Sequence, residues 1–461
     1  MVNRVAQYGL ILVFVALLAY VIGLDIRQSL SIIVLGGMVG ATLMFWKFRL
    51  VFAFFALSLM LATNLIEPSL LIEYANLDTI MFLAAMMVVV GYLEEARFFE
   101  VLIDKVIKVL GGRPGLLVIF FAAFSGLLAA LVDEVTSILI MTAILLDYTS
   151  RYNLDPKKFV MMSIFATNIG SAATVVGNPV GVLIAFEANL GFADFLRWAT
   201  PVAIVALLMC IAITYYWLRN EITLLKQLMT KEALLVKVGE SGDEKKNIDI
   251  RVPSIIFLAT ITGLVLHTYI ENLLGLEKNV MLLGVPIFFA GVVLLLERER
   301  ARELVERRID WWTLLFFLIF FASVGTLAHT GATQVFAEVI LANAGSSPEN
   351  LVVVVMLGSG LMSAFIDNVL SVASWIPIIH TLGAYGVNAF PLWWSMLFAG
   401  TFWGNLTVIG STANIVAVGI LERRERIHIT FREWIKIGAA VTLPTMMFAA
   451  LAIILQIPLM T

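Results

Sequence analysis

Two stretches of this chain place a carboxylate beside a second polar group inside otherwise apolar sequence. The first runs from Ser125-Gly126-Leu127 to Asp133-Glu134-Val135-Thr136-Ser137, the second from Ser359-Gly360-Leu361 to Asp367-Asn368-Val369-Leu370-Ser371. A bare carboxylate at the centre of a bilayer costs about 2.5–3.5 kcal/mol or more. Finding one at equivalent places in two halves predicts a duplicated ion or substrate site of the kind secondary transporters carry.

The 461 residues are 61% hydrophobic and 14% charged, with a mean hydropathy of +0.99. Apolar runs of about 17–25 residues recur along the chain, so the fold class is an all-α polytopic membrane protein in a lipid bilayer. The alternating pattern of a membrane β-barrel is missing. A net charge of −3 says little, because the charges are segregated into loops. The single Cys210 excludes an internal disulfide and reads as packing. Arg4 precedes the apolar run 9–24 and no small-residue cleavage site follows, which predicts a retained first span.

Lys and Arg concentrate in loops 47–49, 97–113, 151–158, 219–251, 297–308 and 423–436. They are sparse in 67–78, 187–194, 267–278, 329–349 and 382–391. Positive loops stay cytoplasmic, which predicts a multi-pass protein of the cell membrane with its N-terminus inside. The chain must then return to the same side twice, once around Asp133-Glu134 and once around Asp367-Asn368. Neither tip has a polar loop of surface length, so both are expected to be re-entrant hairpins resting on protein or a water-filled cavity. The expectation is about eleven spans and two hairpins. Spans 79–96 and 311–328 run in opposite directions while sharing Leu77-Asp78 with Ile309-Asp310 and Gly91-Tyr92-Leu93 with Gly325-Thr326-Leu327. The halves are therefore inverted copies. The linker 219–251, with Glu240-Ser241-Gly242-Asp243-Glu244-Lys245-Lys246, reads as a solvated connection.

Each hairpin is followed by a run too long and too polar for one plain span. Residues 158–186 contain Thr167-Asn168-Ile169-Gly170, Thr174 and Gly177-Asn178-Pro179. Residues 392–420 contain Gly404-Asn405-Leu406-Thr407 and Gly410-Ser411-Thr412-Ala413-Asn414. Twenty-nine residues of helix would reach about 43 Å against a bilayer core of about 30 Å. Both runs are predicted to break at depth, exposing backbone N–H and C=O groups to a cargo. Asn and Thr oxygens there can ligate a hard cation or hydrogen-bond a hydroxylated solute. The bland alternative, helix–helix packing by small residues, fits a lone Gly-Ser pair better than two clusters that each follow a carboxylate hairpin.

In these residues the chain resembles the ion transporter superfamily, in its branch of arsenite permeases, NhaD-type sodium/proton antiporters and P proteins, with a citrate-transporter-like domain. Asp133-Glu134-Val135-Thr136 is similar to that branch's Asp-Asn-Val-Thr hairpin motif, and Ser363-Ala364-Phe365-Ile366-Asp367-Asn368-Val369 to its second-half counterpart. The two Asn-rich clusters resemble its broken-helix motifs. The resemblance implies an inverted-repeat fold with scaffold and transport domains, a homodimer, and elevator motion. It frames the domains as 1–78 and 252–310 for scaffold helices, 79–218 and 311–461 for the two repeat halves, and 219–251 for the linker. Glu134 departs from the pattern, standing where Asn is common. Thr401-Phe402-Trp403 replaces a common Asn-Leu-Gly.

The expected binding residues are Asp133, Glu134, Thr136, Asn168, Gly170, Thr174, Asn178, Asp367, Asn368, Asn405, Thr407, Ser411 and Asn414. Asp133, Asn168, Asp367 and Asn414 are the candidate Na⁺ ligands. No Lys or Arg falls in 114–150, 159–196 or 352–422. That charge balance suits a cation or a neutral hydroxide such as arsenious acid better than an anion. Two adjacent carboxylates out of water resist being ionised together, which makes one of the Asp133-Glu134 pair a proton carrier. Proton-coupled antiport of an inorganic ion is the leading expectation, with H⁺ or Na⁺ as coupling ion and no other cofactor. A sodium-coupled dicarboxylate or citrate carrier of the same fold is the alternative, and a channel or inert scaffold a third. An enzyme or a nucleic-acid binder is not expected: His267, His329, His380 and His428 lack metal-ligand spacing, and no nucleophile–base pair is visible. The amphipathic stretch Phe98–Leu110 predicts an arm along the cytoplasmic face, with 335–341 as its outer counterpart.

Overall fold

Backbone groups in hydrocarbon must be satisfied within their own segment, so long apolar runs can only become helices. The computed structural model describes residues 2–110, 112–236 and 248–460, and every regular element among them is helical. The first half begins with Val2–Ile22, Ile26–Met44 and Arg49–Ala62, a short Pro68–Tyr74, and Leu77–Glu95. The arm Phe98–Leu110 leads into the first hairpin, Pro114–Leu131 and Glu134–Arg151. The first broken helix follows as Lys157–Gly170 and Pro179–Glu187, and the run Phe192–Trp217 closes the half.

The second half repeats this order. Arg251–Leu274, Val280–Glu297, Ala301–Arg308 and Trp311–His329 precede the arm Ala332–Ala344. The second hairpin is Pro348–Ile366 and Asn368–Ala384, the second broken helix Phe390–Phe402 and Thr412–Arg424, and Phe431–Gln456 ends the series. Counting each broken helix once gives the eleven spans and two hairpins expected from the apolar runs. One expectation needs amending. The linker 219–251 opens as a helix, Arg219–Val236, docked by a 2.7 Å Lys158–Glu221 ion pair and a buried Leu225. Its polar run 240–246 lies outside the described residues.

The inversion is visible in reciprocal packing. Gly91 faces the Cβ and Cγ of Arg308, and Gly325 faces the ring of Tyr74. Both members of each pair shift by the same 234 positions: 91 to 325, and 74 to 308. Mid-helix glycine costs about 0.5–1 kcal/mol against alanine, so each position needs a reason, and here it is a neighbour lying where a Cβ would stand. Side-chain ties repeat too. Ser137 Oγ donates to Ser125 O at 3.0 Å, and Ser371 Oγ to Ser359 O at 2.6 Å. Thr174 Oγ1 donates to Ala130 O, and Thr407 Oγ1 to Ala364 O. Each of these stitches a hairpin to itself or to the break beside it.

Gly91→Ala and Gly325→Ala are each expected to destabilise the fold by about 1–3 kcal/mol through overpacking. An added Cβ would stand 2.6 Å from the Arg308 stem and 2.2 Å from the Tyr74 ring. The stem can swing and the ring cannot, so Gly325→Ala should lower the unfolding temperature in detergent more. Unchanged temperatures for both would detach the repeat from these contacts.

Candidate functional site

Each hairpin turns on one aspartate. Asp133 has an extended φ of 177° and caps the helix that follows, accepting from Val135 N at 2.8 Å and Thr136 N at 2.9 Å. Asp367 does the same for its own helix, accepting from Val369 N at 3.1 Å. These caps satisfy helix-end donors that would otherwise be orphaned away from water. Asp367 turns at φ 129°, which non-glycine residues rarely adopt and which costs about 1–3 kcal/mol. Its other oxygen accepts from Thr412 Oγ1 at 2.9 Å.

The residues just after the caps meet across the repeat. Asn368 Nδ2 donates to Glu134 Oε1 at 2.9 Å and to Oε2 at 3.2 Å. Ser171 Oγ makes a longer contact to Oε2 at 3.4 Å. Glu134 and Asn368 are equivalent positions, 234 apart, and both are buried. The hairpins enter from opposite faces, so contact between their tips places both tips in the protein interior. A carboxylate has about four acceptor sites, and neutral donors fill only part of that capacity here.

A cavity of about 300 Å³ opens beside this contact. Asp133, Glu134, Thr136 and Thr412 line its deep end, and Glu94, Arg307 and Arg308 its mouth. The opposite face has a cavity of about 360 Å³ lined by Glu73, Tyr74, Asp78 and Gly325, which stops at Ala373, Ile376 and Pro377 without reaching the tips.

The sequence-predicted residues fall into two sets. Asp133, Glu134 and Thr136 line the cavity, and Asp367 and Asn368 sit behind it, bonded to the lining residues Thr412 and Glu134. The others lie in and around the two breaks, where Asn168, Asn405 and Asn414 form a buried tie. Asn168 Nδ2 donates to Asn405 Oδ1 at 2.7 Å and to Asn414 Oδ1 at 2.8 Å. Asn414 Nδ2 donates to Gly404 O at 2.7 Å and Thr407 O at 2.9 Å. Asn178 and Ser411 cap the second segments of the two breaks, through Gly181 N at 2.7 Å and Ala413 N at 3.1 Å. Thr174 and Thr407 are spent on hairpin carbonyls, and Gly170 packs on the backbone of Gly126. Only Asn168 Oδ1 among these amide oxygens lacks a protein donor. The described residues also hold no cluster of three or more His, Cys, Asp or Glu suited to a metal.

Sequence reasoning missed the arginines. Arg49, expected in a solvated basic loop, is buried; its Nη2 donates to Thr313 Oγ1 at 2.5 Å, and its guanidinium lies 4.3 Å from the Trp46 ring centre and 5.2 Å from that of Phe316. Its charge acts on Asp367 and Asp310. Arg307 and Arg308 reach the cavity from the short helix before Trp311–His329. The expectation counted only the segments around the tips, whereas Arg49, Arg307 and Arg308 approach them from other helices. Aromatic residues beside Arg49 and the glycine under Arg308 were the only sequence signals.

A profile described as citrate transporter matches residues 39–341 and 321–460. An uncharacterized transporter of Mycobacterium tuberculosis is 31% identical over 389 residues, covering 81% of this chain and 85% of its own length. The P protein of Homo sapiens is 26% identical over 442 residues, covering 81% of this chain and 53% of itself. Among solved structures, the YdaH transporter of Alcanivorax borkumensis superposes with a TM-score of 0.53 at 15% identity, over 84% of this chain and 87% of that one, a likeness of fold.

Asn168→Ala removes the donor that two buried carbonyl oxygens share. A loss of about 1–3 kcal/mol is expected for leaving buried acceptors unmet, seen as a lower unfolding temperature. Unchanged stability combined with lost cargo binding would make Asn168 a ligand and not a tie.

Proposed function

This chain belongs to the citrate transporter family, and we propose that it exchanges a cation such as Na⁺, or the neutral hydroxide arsenious acid, for protons across the membrane. The observation that carries the proposal is Glu134: a buried carboxylate held by a neutral amide from the other hairpin, next to Asp133, at the end of a cavity. A cation entering the cavity and a proton on the pair compete for the same charge. Cation binding then expels the proton, and protonation expels the cation, which is antiport by competition at one site.

Among the described residues this cavity reaches the tips from the face that carries Arg307 and Arg308. With the arginine-rich loops cytoplasmic, the N-terminus is inside and the site is open to the cytoplasm. We place the hairpins and broken helices in a moving transport domain and the remaining spans in a scaffold, within a homodimer; closing this cavity while opening its inverted counterpart is alternating access. One observation favours the second reading, a sodium-coupled carrier of citrate or a dicarboxylate. Arg307 and Arg308 line the same cavity, and guanidinium groups pair well with carboxylates.

The test is flux in proteoliposomes under an imposed pH gradient, with Na⁺, Li⁺, arsenite and dicarboxylates in turn. Proton movement coupled to Na⁺ or arsenite supports antiport. Uptake of citrate or succinate that requires sodium and moves no protons would replace it with the second reading. Asp133→Asn and Asp367→Asn are expected to abolish transport in a folded, monodisperse protein, and normal rates in both would take the carboxylates out of the mechanism. Glu134→Gln is expected to flatten the pH profile of transport while binding persists; an unchanged profile would deny Glu134 the proton.

A further inference from the structure

The cavity holds one carboxylate whose job neither the caps nor the tips explain. Asp310 at its wall caps Trp311–His329, accepting from Thr313 N at 3.1 Å and from the Thr313 hydroxyl. Asp133 caps the hairpin helix and Glu134 is held by Asn368. Glu94 caps nothing. It stands in the last turn of Leu77–Glu95, lines the cavity shared with Asp133 and Glu134, and keeps 22% of its side chain exposed. It shares that cavity with the buried Glu134 and the partly buried Asp133. It is also close enough for the charge of Asp133 to act on it.

Its partner is Arg308, whose Nη1 lies 2.8 Å from Glu94 while its Nε reaches Glu95 at 3.1 Å. Arg300 adds a 2.6 Å bond to Glu95 and fixes the far side of the group. The Arg308 stem gets there by lying across Gly91.

The inverted repeat gives this placement a direction. The equivalents of Glu94 and Arg308 are Ala328 and Tyr74, and the reciprocal glycine contacts confirm that register. The pair therefore has no repeat-related counterpart at the other mouth, where Glu73, Asp78 and the Glu187 bound to His380 at 2.9 Å stand at unrelated positions. A residue present in one half of an inverted repeat acts on one face of the membrane.

We propose that Glu94, held by Arg308, is the relay carboxylate for exchange between the tip pair and the arginine-rich face. A proton leaving Glu134 or Asp133 passes to the Glu94 carboxylate and on to bulk water. A monovalent cation takes the same route inward, and Arg308 keeps its own proton throughout. The resident guanidinium stops the relay from becoming a trap, because Glu94 has a counter-charge to return to once the cation moves on. The inference rests on the cation–proton reading of the tips. A relay alters rates from one side and leaves unchanged the gradient at which net flux reverses.

The experiment measures Na⁺-driven proton flux of the full chain in right-side-out and everted vesicles. Glu94→Gln is expected to raise the half-saturating Na⁺ concentration about tenfold for loading from the arginine-rich face and leave the opposite face within about twofold, as loss of a focusing charge at one mouth predicts. Glu94→Asp should restore most of the affinity, and Arg308→Gln should impair the same face alone. The intact opposite-face flux is itself the evidence that each variant is folded. An equal change at both faces, a shifted reversal gradient, or no change at either, with the wild type still coupled, would overturn the relay and spare the tip site. A wild type that couples no protons to Na⁺ from either face would overturn both.

Discussion

Two helices that begin at the middle of a membrane protein must satisfy their first N–H groups without water, and this requirement shapes the rest. Asp133 and Asp367 meet it by capping, so each hairpin can turn within a residue or two. The next position in each hairpin is then free to face the other half, and there Glu134 accepts from Asn368. Were both positions asparagine, the amides could satisfy one another with no charge at all. Glutamate in one copy leaves the contact one charge and some acceptor capacity over. That surplus, at the end of a cavity, separates a structural contact from a site that can hold a proton or a cation.

Around that surplus most of the polar groups are met, Asn168 Oδ1 being an exception. The Asn168, Asn405 and Asn414 amides close on each other, and the caps at Asn178 and Ser411 finish the broken helices. Breaking two helices at depth frees many backbone groups, and these side chains take up much of that demand.

Much of this was legible in the sequence, for a physical reason in each case. Apolar length and loop charge gave the eleven spans and the two returns, because lipid leaves the backbone few options. Asp133 and Asp367 stood out because charge in apolar sequence is expensive. The amide oxygens were harder. Asn168 and Asn414 have the right atoms for a cation shell, but residue type does not reveal whether an oxygen is already spent on a neighbouring amide. Arg49 was hidden by the rule that found the topology, since a basic residue at a helix end counts as a cytoplasmic marker until packing shows Trp46 and Phe316 around it. Arg308 was hidden the same way, and only the glycine beneath it hinted that the stem turns inward.

The positions where the two copies differ carry more information than those where they agree. In an inverted repeat with identical halves, the two faces would be energetically equivalent, and nothing would favour the state with one cavity deep and the other shallow. Here Glu134 is opposed by Asn368, Arg308 by Tyr74, Glu94 by Ala328 and Arg307 by Glu73. The ion pairs among them do not supply a large bias by themselves. Arg308, Glu94, Glu95 and Arg300 are all partly solvated, and such pairs are worth about 0–1 kcal/mol each. What they fix is direction, by holding a charged side chain at one mouth. Tyr74 holds a flat ring over Gly325 at the other mouth, where the cavity ends short of the tips. Both cavities carry charge, but of different balance: Glu73, Asp78 and Glu187 line the one that ends short of the tips, whereas Glu94, Asp133, Glu134 and Asp310 share theirs with Arg307 and Arg308. What distinguishes the deep cavity is therefore the presence of arginine beside its carboxylates, an asymmetry of charge sign and not of charge against apolar packing.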